Sequence, residues 1–122
     1  MTEKKEYPRI RSDWSLFLST GEDHRKIGYV RDISLSGALL VFSEDYSLDH
    51  SKHRFSLKLM NEQLDPPELE IGGLKEWEKR EENEIFLEMR LDELEKEQKR
   101  SFIQFLSRSD RLEIQVYLME SI

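Results

Sequence analysis

The 122-residue sequence predicts a mainly β protein: a six-stranded antiparallel barrel with an α-helix at its carboxyl end. Short segments of alternating apolar and polar residues recur at roughly even spacing along the first three quarters of the chain. Strands with one buried face read this way. Clusters of Gly, Pro, Asn, Asp and Ser separate them, as turns require. One helical period follows the last of them. Closing so small a sheet into a barrel removes its edges, and a single helix can cover the open end.

Each element has its own signature. Residues 1–11 hold no periodic apolar pattern and are expected to form a flexible basic arm. Trp14, Leu16 and Leu18 alternate with polar positions, Phe17 excepted, and give a first strand that stops in the turn-rich residues 19–23. Residues 27–30 and 38–42 are a second and a third strand, separated by a tight corner at residues 32–37. Residues 44–52 read as polar loop. Phe55, Leu57 and Leu59 give a fourth strand, which the Pro66-Pro67 pair ends. Leu69 and Ile71 open a fifth, running through a bulge or bend at Gly72-Gly73 toward Trp77. Residues 81–84 turn the chain into a sixth, marked by Ile85, Leu87, Met89 and Leu91. Asp92 and Glu95 have capping-box spacing ahead of a helix with Leu94, Phe102, Phe105 and Leu106 on one side. Residues 111–119 are ambiguous. Alternation at Leu112, Ile114, Val116 and Leu118 favours a strand, while Asp110 and Glu113 have capping-box spacing. The domain division is thus an arm (1–11), a barrel with its helix (12–106) and a tail of open structure (107–122).

Composition excludes several classes. With no Cys, disulfide frameworks, thiolate metal sites and cysteine nucleophiles are absent. A net charge of −7 argues against a nucleic-acid polymer as partner. Mean hydropathy is −0.72. No apolar run reaches the ~18 residues of a membrane helix, and no signal-peptide pattern opens the chain. A cytoplasmic protein without membrane insertion is expected. The charge is uneven: Lys4, Lys5, Arg9 and Arg11 gather near the amino end, while residues 62–97 hold fourteen acids against five bases. Such a chain can hold a small anion at its basic end.

Nothing reads as catalytic. There is no G-x-S-x-G elbow, Walker A loop or G-x-G-x-x-G. His24, His50 and His53 fall in polar segments expected to be loops. His50 and His53 stand three apart, but no second ligand pair completes a metal site. No metal and no cofactor are expected.

The informative residues are Lys5-Glu6-Tyr7-Pro8-Arg9 and, further on, Asp32-x-Ser34-x-x-Gly37. Read alone, the second piece is a turn: Asp and Ser bond nearby backbone N–H groups and Gly takes a positive φ. The residue types around it have plain chemistry. Arg9 is a planar fork that can grip a two-acceptor group or stack on a ring. Asp32 only accepts hydrogen bonds. Ser34 can donate one, and Gly37 allows close backbone approach.

Together the two pieces resemble the PilZ domain family, bacterial receptors of the second messenger cyclic di-GMP, whose pattern is R-x-x-x-R followed by D/N-x-S-x-x-G. The resemblance covers residues 4–106. Residues 7–10 resemble the family's approach to its first strand and 28–34 its second. Residues 74–77 and 85–94 resemble its fifth and sixth strands leading into the helix. It implies a non-enzymatic, nucleotide-binding adaptor for signal transduction. Cyclic di-GMP would be held by Lys5, Arg9, Asp32, Ser34 and Gly37, with Lys4 and Arg11 as further contacts. Ligand would fold the arm over the barrel mouth and alter a surface read by a protein partner. Two positions depart from the pattern. Lys5 replaces the first arginine and can pair with phosphate, but cannot make a bidentate or stacked contact. Glu88 stands where members often have Gly, a difference that reads as concerning the barrel rather than the site. The family includes degenerate members that no longer bind the nucleotide and act as protein-interaction modules. Lys5 keeps that alternative open.

Overall fold

The computed structural model describes residues 8–20, 23–43 and 53–120. Seven strands and one helix follow in the order β1 (Ile10–Thr20), β2 (Asp23–Ile33), β3 (Gly37–Ser43), β4 (Arg54–Met60), β5 (Glu68–Glu81), β6 (Glu84–Leu91), α1 (Lys96–Ser107) and β7 (Gln115–Glu120). The strands close into a barrel in the order β1-β2-β3-β6-β5-β4-β7.

The expected barrel and helix are present, but the strand count is seven rather than six and the sheet is not wholly antiparallel. The ambiguous segment supplies the extra strand. β7 lies antiparallel to β4, with Leu57 opposite Leu118, and parallel to β1, with Leu16 opposite Val116. An odd number of strands cannot close a ring with every neighbour antiparallel, so one parallel seam is a geometric necessity. The barrel therefore extends into the residues assigned to a tail. It also begins earlier than expected, since Ile10 and Arg11 already pair with Ile33 and Asp32. The expected arm keeps only the residues before Ile10. Those of residues 1–7, and the expected loop at 44–52 with His50, lie outside the described residues. His24 is not in a loop; it stands in β2 and meets the Tyr117 ring edge-on.

Alternation decides the interior. Leu16, Val30, Leu40, Leu57, Ile71, Leu87, Val116 and Leu118 each point inward and are fully buried. The helix adds Phe102 and Phe105 to the same cluster. Its start is later than the Asp92 spacing indicated. Glu95 is the N-cap, and its backbone N–H donates to the Gln98 side chain at 3.2 Å. Asp92 is instead held by the barrel: its N–H donates to the Gly72 carbonyl and its carboxylate accepts from Arg54 at 2.7 Å. No helix forms at the second capping-box spacing, and residues 108–112 turn the chain into β7.

Register shifts bend the strands. Ser12, at the shift between Arg11 and Trp14, is buried and donates to the Val30 carbonyl at 2.6 Å. Gly28 is required by crowding, because a Cβ there would strike the Val41 carbonyl of β3. The irregularity expected at Gly72-Gly73 lies further on. Both glycines pair regularly with β4, and β5 is interrupted between Lys75 and Trp77. The extra residue, Glu76, shifts the phase of the strand. Trp77 then stands opposite Glu88 and is 47% exposed.

β7 carries inward-facing Val116 and Leu118, preceded by buried Ile114. At about 1.5–3 kcal/mol per fully buried aliphatic side chain, these three account for roughly 5–9 kcal/mol. That is comparable to the whole stability of a small domain. Truncation after Asp110 should therefore abolish cooperative unfolding in urea rather than leave a six-stranded barrel. A truncated chain that melts cooperatively near the parent temperature would show β7 to be dispensable.

Candidate functional site

The corner between β2 and β3 is built by its own side chains. The Ser34 N–H donates to the Gly37 carbonyl at 2.8 Å. The Ser34 hydroxyl accepts from the N–H groups of Ser36 and Gly37 at 3.1 and 3.2 Å and lies beside the Ser36 hydroxyl. Ser34 is almost wholly buried. Its observed role is to satisfy backbone donors that would otherwise be orphaned. The Ser36 carbonyl accepts from the Leu91 N–H at 2.9 Å and ties the corner to β6.

Gly37 does not take the positive φ expected of it. What the position needs is space. A Cβ on Gly37 would come within 2.5 Å of an Arg9 guanidinium nitrogen and 3.1 Å of the Met89 carbonyl. Pro8 and Arg9 precede β1, and the pairing of Ile10 with Ile33 delivers Arg9 to the mouth of the corner. From there the guanidinium lies across Gly37. It donates to Asp32 Oδ1 at 2.7 Å and makes a two-pronged pair with both carboxylate oxygens of Glu88, the longer contact being 3.0 Å. Asp32 is not spent on the turn. It is oriented toward Arg9 and retains about a quarter of its side-chain exposure.

Three residues singled out by the sequence, Arg9, Asp32 and Gly37, are thus in one place, with Ser34 beneath them. Arg11 is exposed and stands opposite Asp32 in the β1–β2 register. Lys4 and Lys5 lie outside the described residues. Sequence reasoning placed Glu88 in the barrel rather than the site, yet it is a direct partner of Arg9. Asp32, Leu39 and Glu88 form one row across β2, β3 and β6, and Trp77 continues that row on β5. Glu88 falls between the fully buried Leu87 and Met89, a phase that reads as solvent face. Arg9 covers it, leaving it 9% exposed. No local pattern reveals a partner 79 residues away.

A cleft of about 370 Å³ lies between the start of β1 and the turn before β7, lined among others by Arg11, Asp13, Trp14, Asp110 and Glu113. Three carboxylates against the one guanidinium of Arg11 disfavour an anion there. Among the described residues no group of three or more His, Asp or Glu is placed to hold a metal. No helix of the described residues is long and apolar enough to cross a membrane. Compared with known proteins, the chain matches no family model, no curated protein and no solved structure.

Replacing Ser34 by Ala would leave two N–H donors in a closed corner without their acceptor. The expected cost is about 1–3 kcal/mol, read as a lower urea midpoint at unchanged slope. Unaltered stability would show that water enters the corner and replaces the hydroxyl.

Proposed function

We propose that this protein is a PilZ-like, non-enzymatic receptor for cyclic di-GMP that acts as a cytoplasmic adaptor in bacterial signal transduction. The observation that carries the reading is Arg9. The chain brings this residue from ahead of the first strand onto the D-x-S-x-x-G corner, where its guanidinium rests on Asp32 and against Gly37. Such a corner offers a guanine dinucleotide both signs of contact. The guanidinium fork meets O6 and N7 or a phosphate, and the Asp32 carboxylate meets the N1–H and N2–H₂ edge. Gly37 leaves the room in which the guanidinium lies across the corner. Arg11 and Lys4 are further cations for the phosphates, and Lys5 supplies charge without a fork. Because Ile10 is already paired in β1, a ligand-driven movement belongs to the residues ahead of it. Their new position would form the surface that a protein partner reads.

One observation favours the alternative, a degenerate PilZ-like interaction module that does not bind the nucleotide. Glu88 already occupies the fork of Arg9. An arginine satisfied on two carboxylates has less to gain from a third acceptor.

Titration calorimetry with cyclic di-GMP at moderate salt separates the two. Micromolar or tighter binding, with GTP and cyclic GMP much weaker, supports the receptor; absence of heat at high protein concentration transfers the assignment to the interaction module. Arg9→Ala should weaken binding by about 1–3 kcal/mol, the worth of a bidentate charged contact. Lys5→Arg keeps the net charge and adds only fork geometry, and should tighten binding about tenfold, or ~1.4 kcal/mol. Equal affinity of parent and Arg9→Ala would remove Arg9 from the site.

A further inference from the structure

We infer that Glu88 is an internal counter-ligand of the Arg9 site, holding the guanidinium in the resting protein and yielding it only when an anionic guanine ligand takes its place. The inference rests on the receptor reading above and adds to it the group that sets the site's affinity.

The geometry is that of a ligand contact made within the chain. Both Glu88 oxygens face the same guanidinium, one on each terminal nitrogen. This is the planar fork-to-fork arrangement by which arginine also grips a phosphate. Glu88 therefore presents to Arg9 the same chemistry as the ligand would, and the two compete for the same donors. Asp32 does not compete in this way, because it meets Arg9 through one oxygen and keeps its other one.

Burial makes the competition costly. The Glu88 side chain is 12% exposed, whereas those of Arg9 and Asp32 retain 36% and 26%. Withdrawing Arg9 would strand a carboxylate in a nearly closed position, and an unpaired buried charge is strongly unfavourable. A ligand must therefore supply enough new contact to offset that loss, or expose Glu88 as it enters. Because of the bulge at Glu76, Trp77 stands opposite Glu88 in the β5–β6 register and is half exposed. A base that takes the place of Glu88 has an exposed aromatic residue on the neighbouring strand.

The test compares the full-length parent with Glu88→Gln and with Glu84→Gln, titrated with cyclic di-GMP by calorimetry. Glu84 is an exposed residue at the start of β6, so its variant makes the same change in net charge. Glu88→Gln keeps the shape and removes the competing charge. It should bind about tenfold tighter than the parent, with Glu84→Gln unchanged. Binding to Glu88→Gln where the parent shows none would overturn both the receptor reading and the yielding of Glu88 in the native chain, leaving Glu88 as a permanent block on Arg9. A parent that binds, with Glu88→Gln equal or weaker, overturns the inference and leaves the receptor reading intact. No binding by the parent or by a Glu88→Gln protein that melts cooperatively overturns both. Should Glu88→Gln fail to fold, carbon NMR of the native protein decides: saturating cyclic di-GMP should shift the Glu88 carboxylate resonance. Ligand bound with that resonance unmoved overturns the inference.

Discussion

A ring of strands that alternate in direction closes only when their number is even, and this barrel has seven. The parallel seam between β1 and β7 resolves that constraint, and the remaining structure depends on it. Without β7, β1 and β4 would each present an unpaired edge, and Ile114, Val116 and Leu118 would leave the core. With it, β1 is held on its second edge at residues 15–18, while its pairing with β2 delivers Arg9 to the β2–β3 corner. The helix between β6 and β7 follows from the same requirement. The chain must return across the barrel to add a strand beside β1, and the crossing residues bury Phe102 and Phe105 on the way.

The site is an arrangement of opposite charges over a glycine. A guanidinium suspended across two strands needs a missing side chain beneath it and acceptors on both sides. Gly37 provides the first, and Asp32 and Glu88 the second. Ser34 works one level down, by fixing the backbone on which the others stand. The corner is in this sense two structures, a buried hydrogen-bonded turn and an electrostatic lid above it.

What could be read in the sequence follows from locality. Alternation at Leu57 and Leu59, or at Leu87 and Met89, reports a strand because neighbours two apart share a face. The D-x-S-x-x-G spacing reports a corner because its hydrogen bonds span three residues. The bulge left no such mark, since Glu76 differs from other glutamates only in having no counterpart on β6. The start of α1 was misplaced because Asp92 has the right spacing but is engaged by Arg54 on β4. β7 showed the strand pattern but was not counted into the barrel, for pairing with β1 is invisible to a window of ten residues. Glu88 was legible as an oddity and not as a contact. Its partner is distant in sequence and comes near only when β3 lies between β2 and β6. The resemblance to PilZ domains pointed to residues that meet at the corner and marked position 88 as a departure, without showing that its carboxylate meets Arg9.

The parallel seam also fixes the directions in which the chain enters and leaves. β1 starts at the Arg9 corner, and β7 runs alongside it in the same sense, ending at Glu120 opposite Phe55. At ~3.3 Å per strand residue, the exit lies roughly 30 Å from the corner. A fluorescent or affinity module appended after β7 would sit at the far pole of the barrel, clear of whatever docks on Arg9. One placed directly ahead of β1 would crowd the corner itself, so the end of the barrel chosen for a reporter decides whether it observes the site or obstructs it.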